Sequence, residues 1–130
     1  MKRIFAIVLL SFAYSSAAAE WVPLDQTVKG KVYVDPKTKK RDGDMVRLWT
    51  LFDYIQGQGM MFNGVLVQSV KDQKQFDCKN DTFRMISFVG HPGAMGGDVA
   101  LLSKDTPNAV WQSVVPETIN QIIFDYACSK

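Results

Sequence analysis

The two cysteines of the chain, Cys78 and Cys128, constrain its fold more than any other feature, because each has only one possible partner among the 130 residues. A bond between them would close a loop of about 50 residues, for which the chain-entropy model gives a stabilisation of roughly 4 kcal/mol. A small domain is held folded by only about 5 to 15 kcal/mol in total. Cys78 lies between two stretches typical of strands, and Cys128 ends a stretch typical of a helix. The bond would therefore fasten a C-terminal helix to a sheet.

The N-terminal segment predicts a compartment in which this bond can form. A basic pair at positions 2 and 3 precedes an apolar run over residues 4–10, and the segment ends in three alanines at positions 17–19. This order is typical of a signal peptide, with cleavage expected after Ala19, and the apolar run is shorter than the roughly 20 residues of a membrane span. No cysteine near the cleavage site could carry a lipid anchor. Residues 1–19 are thus predicted to be a cleaved signal, and the mature protein to be periplasmic or secreted, where a cysteine pair favours a disulfide.

The mature chain, residues 20–130, is long enough for one domain with a modest core but not for two. The full sequence has 15 Lys and Arg against 13 Asp and Glu, but two basic residues leave with the signal, so the mature charge is zero. A globally basic nucleic-acid binder is therefore not expected. Local basic clusters remain compatible with this balance.

Alternation of apolar and polar residues predicts an α+β fold, an antiparallel meander sheet of about six strands covered by one C-terminal helix. Pro116 and Glu117 are placed in the first turn of this helix, whose apolar stripe is Ile119, Ile122, Ile123 and Tyr126. A bend or bulge is expected within residues 71–74. The predicted strands cover residues 20–24, 31–35, 45–55, 64–75, 82–89 and 98–103, and extended structure is expected to resume over residues 76–78.

The predicted loops contain few residues that could form a catalytic, metal or phosphate site. Residues 35–44 are predicted to form a solvated turn that carries four basic side chains. The glycine-rich residues 90–97 lack the strand-to-helix setting and the Lys and Ser or Thr of a phosphate loop, so a turn with positive φ is expected there. His91 is the only histidine, which excludes a multi-histidine metal site and favours a structural hydrogen bond. No nucleophile with a base and no carboxylate pair is indicated. Neither an enzyme nor a cofactor is expected.

A series of short motifs, in this order and with both cysteines, resembles the surface-adhesin protein E family of small exported proteins from Gram-negative bacteria. The likeness extends over essentially the whole mature chain, and it implies the same sheet, helix and disulfide that the residues predict. The motifs are Glu20-Trp21-Val22-Pro23, Val32-Tyr33-Val34-Asp35-Pro36, Arg41-Asp42-Gly43-Asp44-Met45-Val46-Arg47-Leu48-Trp49, Ser69-Val70-Lys71, Phe76-Asp77-Cys78, Arg84-Met85-Ile86-Ser87-Phe88, Met95-Gly96-Gly97, Trp111-Gln112-Ser113-Val114-Val115-Pro116 and Ala127-Cys128.

The resemblance also implies a binding function. The namesake of the family is an outer-membrane lipoprotein that binds host matrix and serum proteins, vitronectin and laminin among them, and heparin-like chains, through a basic stretch that leads into the first cysteine. The matching positions here, residues 64–78, keep Lys71 and Lys74, with Lys79 just beyond. Gly64 and Val65 stand where the namesake has a basic pair, and its lipid-anchor cysteine is absent.

Two functional hypotheses follow. In the first, the protein is a non-enzymatic binding module for a host matrix or serum protein or an acidic glycan, and its exposed basic residues make the contacts. In the second, it is a periplasmic structural or interaction domain without a host ligand, and the same residues keep the sheet edges soluble. The candidate ligand-binding residues are Lys71, Lys74 and Lys79 and, from the basic loop, Lys37, Lys39, Lys40 and Arg41.

Overall fold

The computed structural model describes residues 19–130, in which ten strands and one α-helix follow one another along the chain. The predicted signal peptide lies outside the described residues, apart from Ala19. The elements are β1 (Val22–Gln26), β2 (Gly30–Val34), β3 (Lys40–Asp42), β4 (Met45–Tyr54), β5 (Met60–Phe62), β6 (Val65–Val67), β7 (Ser69–Asp77), β8 (Thr82–His91), β9 (Leu102–Asp105), β10 (Gln112–Ser113) and α1 (Ile119–Cys128).

Eight of these strands form one antiparallel sheet in the order β1-β2-β4-β7-β8-β10, with β3 paired to β4 and β9 paired to β8. The predicted antiparallel α+β fold is confirmed. The irregularity expected within residues 71–74 lies instead in the partner strand. β7 pairs with β4 without interruption, and where its register against β8 shifts between Gln73 and Lys74, the extra residue is Ile86 of β8.

Three strand predictions were wrong in detail. The strand predicted over residues 64–75 is divided at Gln68 into β6 and β7. Its first part, β6, pairs with β5 as a separate hairpin, whose turn is formed by Asn63 and Gly64, both with positive φ. The last predicted strand lies later, at Leu102–Asp105 instead of residues 98–103. The basic loop contains a strand, β3, which a turn at Gly43 returns onto the start of β4.

The core lies between α1 and one face of the sheet, called the helix face below. Alternation along β4 places Val46 and Leu48 on this face, where both are fully buried. Phe76 of β7 stacks on Phe83 of β8 with ring centroids 6.3 Å apart, and its edge meets Phe124 of α1 at 6.1 Å. Such aromatic pairs add to the stabilisation that burial itself gives.

The helix begins later than predicted. Thr118 is its N-cap, and the threonine hydroxyl accepts a hydrogen bond from the Gln121 N–H at 3.3 Å. Pro116 and Glu117 therefore precede the helix, and Glu117 has a φ of 62°, which no residue inside a right-handed helix adopts.

The apolar stripe of α1 is rotated from the predicted one. The buried helical residues are Ile123, Phe124 and Ala127, whereas Ile122 is 36% exposed. Phe124 and Cys128 are four residues apart and so lie on one side of the helix. Because Cys128 is bonded to Cys78, with a Cα–Cα distance of 5.6 Å, the predicted disulfide is confirmed and it turns the Phe124 side toward the sheet.

The glycine-rich segment folds over one end of the opposite face of the sheet. Its short 3-10 turn, Ala94–Gly96, has the expected positive φ, 70° at Gly96. The Ser69 hydroxyl donates to the Gly93 carbonyl at 2.6 Å and accepts from the Gly96 N–H at 2.8 Å. His91 is buried beside this turn, with Nδ1 at 3.2 Å from the Asp98 carbonyl oxygen, which fits the structural role predicted for it.

Asp77 ends β7 and organises the turn that contains Cys78. Its carboxylate accepts from the Asn80 side chain at 2.8 Å and from the backbone N–H groups of Lys79 and Asn80 at 3.1 and 3.2 Å. The Asn80 side chain is the main cause that lowers the pKa of Asp77 below its ordinary value of 3.8. These bonds favour the ionised carboxylate over the protonated acid.

The Asp77 turn predicts a pH-dependent stability. Because the folded pKa lies below the unfolded one, the charge-dependent stabilisation is present above pH 3.8 and is lost as the pH falls through the lower folded value. Replacing Asn80 with alanine should raise the pKa of Asp77 toward 3.8 and lower the urea midpoint at about pH 6 more than at about pH 2.5. Carboxyl NMR titration and urea denaturation measure the two effects. Asn108→Ala, in an exposed loop, is the control, and an unchanged Asp77 pKa in Asn80→Ala would contradict the assignment.

Candidate functional site

The basic run of residues 37–41 is divided between the two faces of the sheet, because side chains alternate along β3. Lys39 and Arg41 reach the C-terminal end of α1. Lys39 Nζ donates to the carbonyl oxygens of Tyr126 and Ser129 at 3.0 and 2.8 Å, and Arg41 donates to that of Cys128 at 2.9 Å. The last carbonyls of a helix lack partners within the helix and carry partial negative charge. Lys39 and Arg41 therefore stabilise the helix end that holds the disulfide.

Lys39 is less available to a ligand than the sequence indicated, whereas Lys37 remains exposed. Lys39 also lies 5.2 Å from the centre of the Tyr126 ring. Burial, together with repulsion from Arg41, lowers the pKa of Lys39 below its ordinary value. Lys37 pairs with Glu20 at 3.2 Å, but both side chains are more than 60% exposed, so this ion pair adds little stability.

The second predicted group, Lys71, Lys74 and Lys79, is not brought together. Lys74 shares the helix face with Phe76 and is only 6% exposed, so its prediction as an exposed contact was wrong. Its ammonium group binds the Asp72 carboxylate at 2.7 and 2.8 Å. Lys71 points to the opposite face and is half-buried against Gly96, and Lys79 is exposed in the turn after Cys78.

Three basic side chains line up across four strands on the face opposite the helix. Lys40 on β3 pairs with Arg47 on β4, Arg47 pairs with Gln75 on β7, and Gln75 pairs with Arg84 on β8. Directly paired residues of antiparallel strands point to the same face, so we call Lys40, Arg47 and Arg84 the cationic row. Strands lie about 4.8 Å apart, which gives the row a length of roughly 14 Å.

Arg84 of the cationic row is held in place by neutral groups, and no member of the row is neutralised by a carboxylate in the described residues. Arg84 donates from Nε to the Gln75 side-chain oxygen at 3.0 Å, and its guanidinium lies 4.6 Å from the centre of the Trp111 ring. Within residues 19–130 the ion pairs are Lys37–Glu20 and Lys74–Asp72. None of the three basic groups of the row is therefore paired with a carboxylate in the part of the chain that the structure describes.

A shallow depression of about 410 Å³ lies along the cationic row. Asp105 is the acidic residue at its edge, where the carboxylate accepts a hydrogen bond from the Ser87 hydroxyl at 2.9 Å. The depression thus combines two guanidinium groups with a flat indole surface. Its lining includes Arg47, Trp49, Gln73, Arg84, Ile86 and Asp105.

Of the cationic row, only Lys40 was predicted from the sequence as a binding residue. The signal that could have found Arg47 is the dipeptide Gly43-Asp44, a pair typical of two-residue hairpin turns, between two extended stretches. A two-residue turn there pairs Asp42 with Met45, and hence Lys40 with Arg47. Arg84 has no comparable local signal, because its place depends on the register of β8 against β7.

Among residues 19–130 no group of three or more His, Cys, Asp or Glu side chains could hold a metal ion. In the same range no helix has the length and apolar character to span a membrane.

Comparison with known proteins gives one family and one fold. A family model described as surface-adhesin protein E matches residues 21–129, and no curated protein sequence matches the chain significantly. The selenomethionine form of Haemophilus influenzae protein E superposes with a TM-score of 0.60 at 15% identity, covering 83% of this chain and 84% of that chain. Protein E from non-typeable Haemophilus influenzae gives 0.58 at 14% identity, with 82% and 74% covered. At this identity the superposition shows a shared fold.

Proposed function

This chain belongs to the surface-adhesin protein E family, and on that premise we propose that it is a non-enzymatic exported binding module. Its ligand is a sulfated glycan chain, free or carried by a host matrix or serum glycoprotein. The contacts come from the cationic row, Lys40, Arg47 and Arg84. Export through a signal peptide over residues 1–19, leaving the single domain 20–130, is part of the same proposal.

The observation that carries the proposal is the registered alignment of three unpaired basic groups on one open sheet face. Like charges directly opposite each other on neighbouring strands, such as Lys40 and Arg47, destabilise a sheet. Their repulsion is relieved when a polyanion lies across them. Arginine is suited to this contact because its planar fork of donors matches oxyanion pairs.

The dimensions of the cationic row suit an extended ligand. A row of roughly 14 Å is long enough for several charged groups of a linear acidic polymer that lies across the strands. Each exposed contact contributes only about 0.2 to 1 kcal/mol, so useful affinity needs several of them together. Salt screens exposed charges over about 8 Å at physiological ionic strength, and binding should therefore weaken steeply as salt rises.

We expect the triple variant Lys40→Gln, Arg47→Gln, Arg84→Gln to bind immobilised heparin at least about tenfold more weakly than the original protein. The loss of three contacts of about 0.5 kcal/mol each is sufficient for that factor. The side chains project from one sheet face and are not part of the core, so the fold should be kept. Surface plasmon resonance at several salt concentrations measures both the affinity and its salt dependence.

The matched control removes the same number of charges elsewhere, with Lys29, Lys79 and Lys104 changed to glutamine. All three are exposed, and Lys79 also represents the binding stretch expected from the sequence. The control should retain most of the affinity. A larger loss in the control than in the row variant would refute the cationic row as the site.

A further inference from the structure

The helix face of the sheet is only half covered. A helix of ten residues is about 15 Å long, whereas a strand of ten residues such as β4 extends over roughly 33 Å. The uncovered half forms a cavity of about 510 Å³, called the apolar groove below. Its walls are mainly aromatic and aliphatic and include Phe52, Tyr54, Val70, Met85, Phe88 and Ile123.

A polar network lies in the wall of the apolar groove. Thr50, Asp72 and Lys74 all line it, and the last two are 13% and 8% exposed in their side chains. Lys74 Nζ donates to both carboxylate oxygens of Asp72, at 2.7 and 2.8 Å, and to the Thr50 hydroxyl at 3.4 Å. The Thr50 hydroxyl in turn donates to Asp72.

The hydrogen-bonding positions that this network leaves unused indicate which kind of ligand it can bind. An ammonium group has three donors, and those of Lys74 are all engaged. A carboxylate has about four acceptor positions, and Asp72 receives three bonds. The capacity that remains is therefore that of an acceptor. Since the ion pair has no net charge, an anionic or cationic ligand would lose its hydration without compensation.

The rest of the apolar groove agrees with this selection. Phe52 and Tyr54 meet edge to face with centroids 4.7 Å apart, and burial raises the pKa of Tyr54, so its phenol stays neutral at pH 7. Binding sites for small molecules are concave, mostly apolar and equipped with a few convergent polar groups. The volume of the apolar groove lies within the range of about 300 to 1,000 Å³ that such sites occupy.

We propose that the apolar groove binds a neutral, largely apolar small molecule that carries one hydroxyl or N–H donor, which Asp72 accepts. This site is on the face opposite the cationic row and works independently of it. The occupant enters beside Met60 and Met85, which are 51% and 36% exposed. The remainder of the ligand packs against the aromatic wall.

The test uses N-phenyl-1-naphthylamine, a neutral fluorophore with a single N–H donor, whose emission rises in apolar surroundings. We expect a saturable 1:1 isotherm. The N-methyl derivative, which lacks the donor, should bind about three- to tenfold more weakly. The sulfonated analogue 1-anilinonaphthalene-8-sulfonate should bind at least about tenfold more weakly, because its charge must be desolvated in the groove. Competition by the N-methyl derivative confirms that both occupy one site.

Three variants locate the site and test its polar contact. Met85→Trp fills the apolar groove and should abolish saturable binding, whereas Met61→Trp, on a side chain that is 66% exposed outside the groove lining, should leave it unchanged. The double variant Asp72→Leu, Lys74→Met should bind the N–H and N-methyl probes equally. Unsaturable or equal binding of all three probes by the original protein would overturn the proposal. Sedimentation would also overturn the proposal if it showed a dimer that must dissociate before any probe binds. A second copy of the chain would then be the occupant of the apolar groove.

Discussion

Replacing Cys128 with serine is expected to lower the free energy of unfolding by about 4 kcal/mol and the melting temperature by roughly 15 °C. The bond closes a loop with a sequence separation of 50 residues, so its removal returns considerable freedom to the unfolded chain. The helix end would then be held by its packing and by the hydrogen bonds from Lys39 and Arg41. Circular dichroism melts without reductant measure the change.

The double variant Cys78→Ser, Cys128→Ser is the control for a free thiol left by the single change, and it should melt close to Cys128→Ser. The original protein should melt at the same lower temperature once a reductant has opened the bond. Equal melting temperatures for the original protein and both variants under oxidising conditions would show that the disulfide does not fasten the helix.

Replacing Lys74 with methionine is expected to destabilise the protein by about 3 to 5 kcal/mol, because it leaves the Asp72 carboxylate buried without its cation. The side chains of the pair are only 8% and 13% exposed, so water solvates the remaining carboxylate poorly. Urea denaturation at neutral pH measures the effect.

Removing the charges of both Asp72 and Lys74 distinguishes the free-energy cost of a buried unpaired charge from the net contribution of the ion pair to stability. Asp72→Leu combined with Lys74→Met should be within about 1 to 2 kcal/mol of the original protein, as buried ion pairs are often replaceable by apolar residues. Lys71→Met is the matched control on the same strand, and its effect should stay below about 1 kcal/mol, because Lys71 forms no ion pair within residues 19–130. If the single and double variants were equally destabilised, the pair would not act as a unit.

The two proposed binding sites use the two faces of one sheet for different chemistry. The cationic row lies where the sheet face is open to solvent, and the apolar groove lies where a short helix leaves the other face uncovered. The variants proposed for one site do not touch the residues of the other. A loss of heparin binding in Met85→Trp, or of fluorophore binding in the triple variant of the row, would show that the faces are coupled.

Sequence patterns decided most of the architecture by themselves. Alternation with period two is set by strand geometry, so this pattern alone assigned Val46 and Leu48 to one face of β4 and Arg47 to the other. The disulfide was predictable from the number of cysteines together with the predicted export signal. The positive φ of the glycine-rich turn was also predictable from local chemistry.

Tertiary structure decided the positions that depend on register and on neighbouring elements. Lys74 is of a residue type usually found at the surface, but the pairing of β7 with β4 places it beside Thr50 and Asp72 on the helix face. The rotation of α1 that buries Phe124 is imposed by the tether to the sheet at its last residue. Arg84 joins the cationic row through the β7–β8 hairpin and through the pairing of β7 with β4, two strands that are distant in sequence. Local patterns specify which way each side chain points from its own strand. The contacts between strands and the position of the helix arise from packing of the whole chain. Those contacts decided which charged side chains lie next to each other.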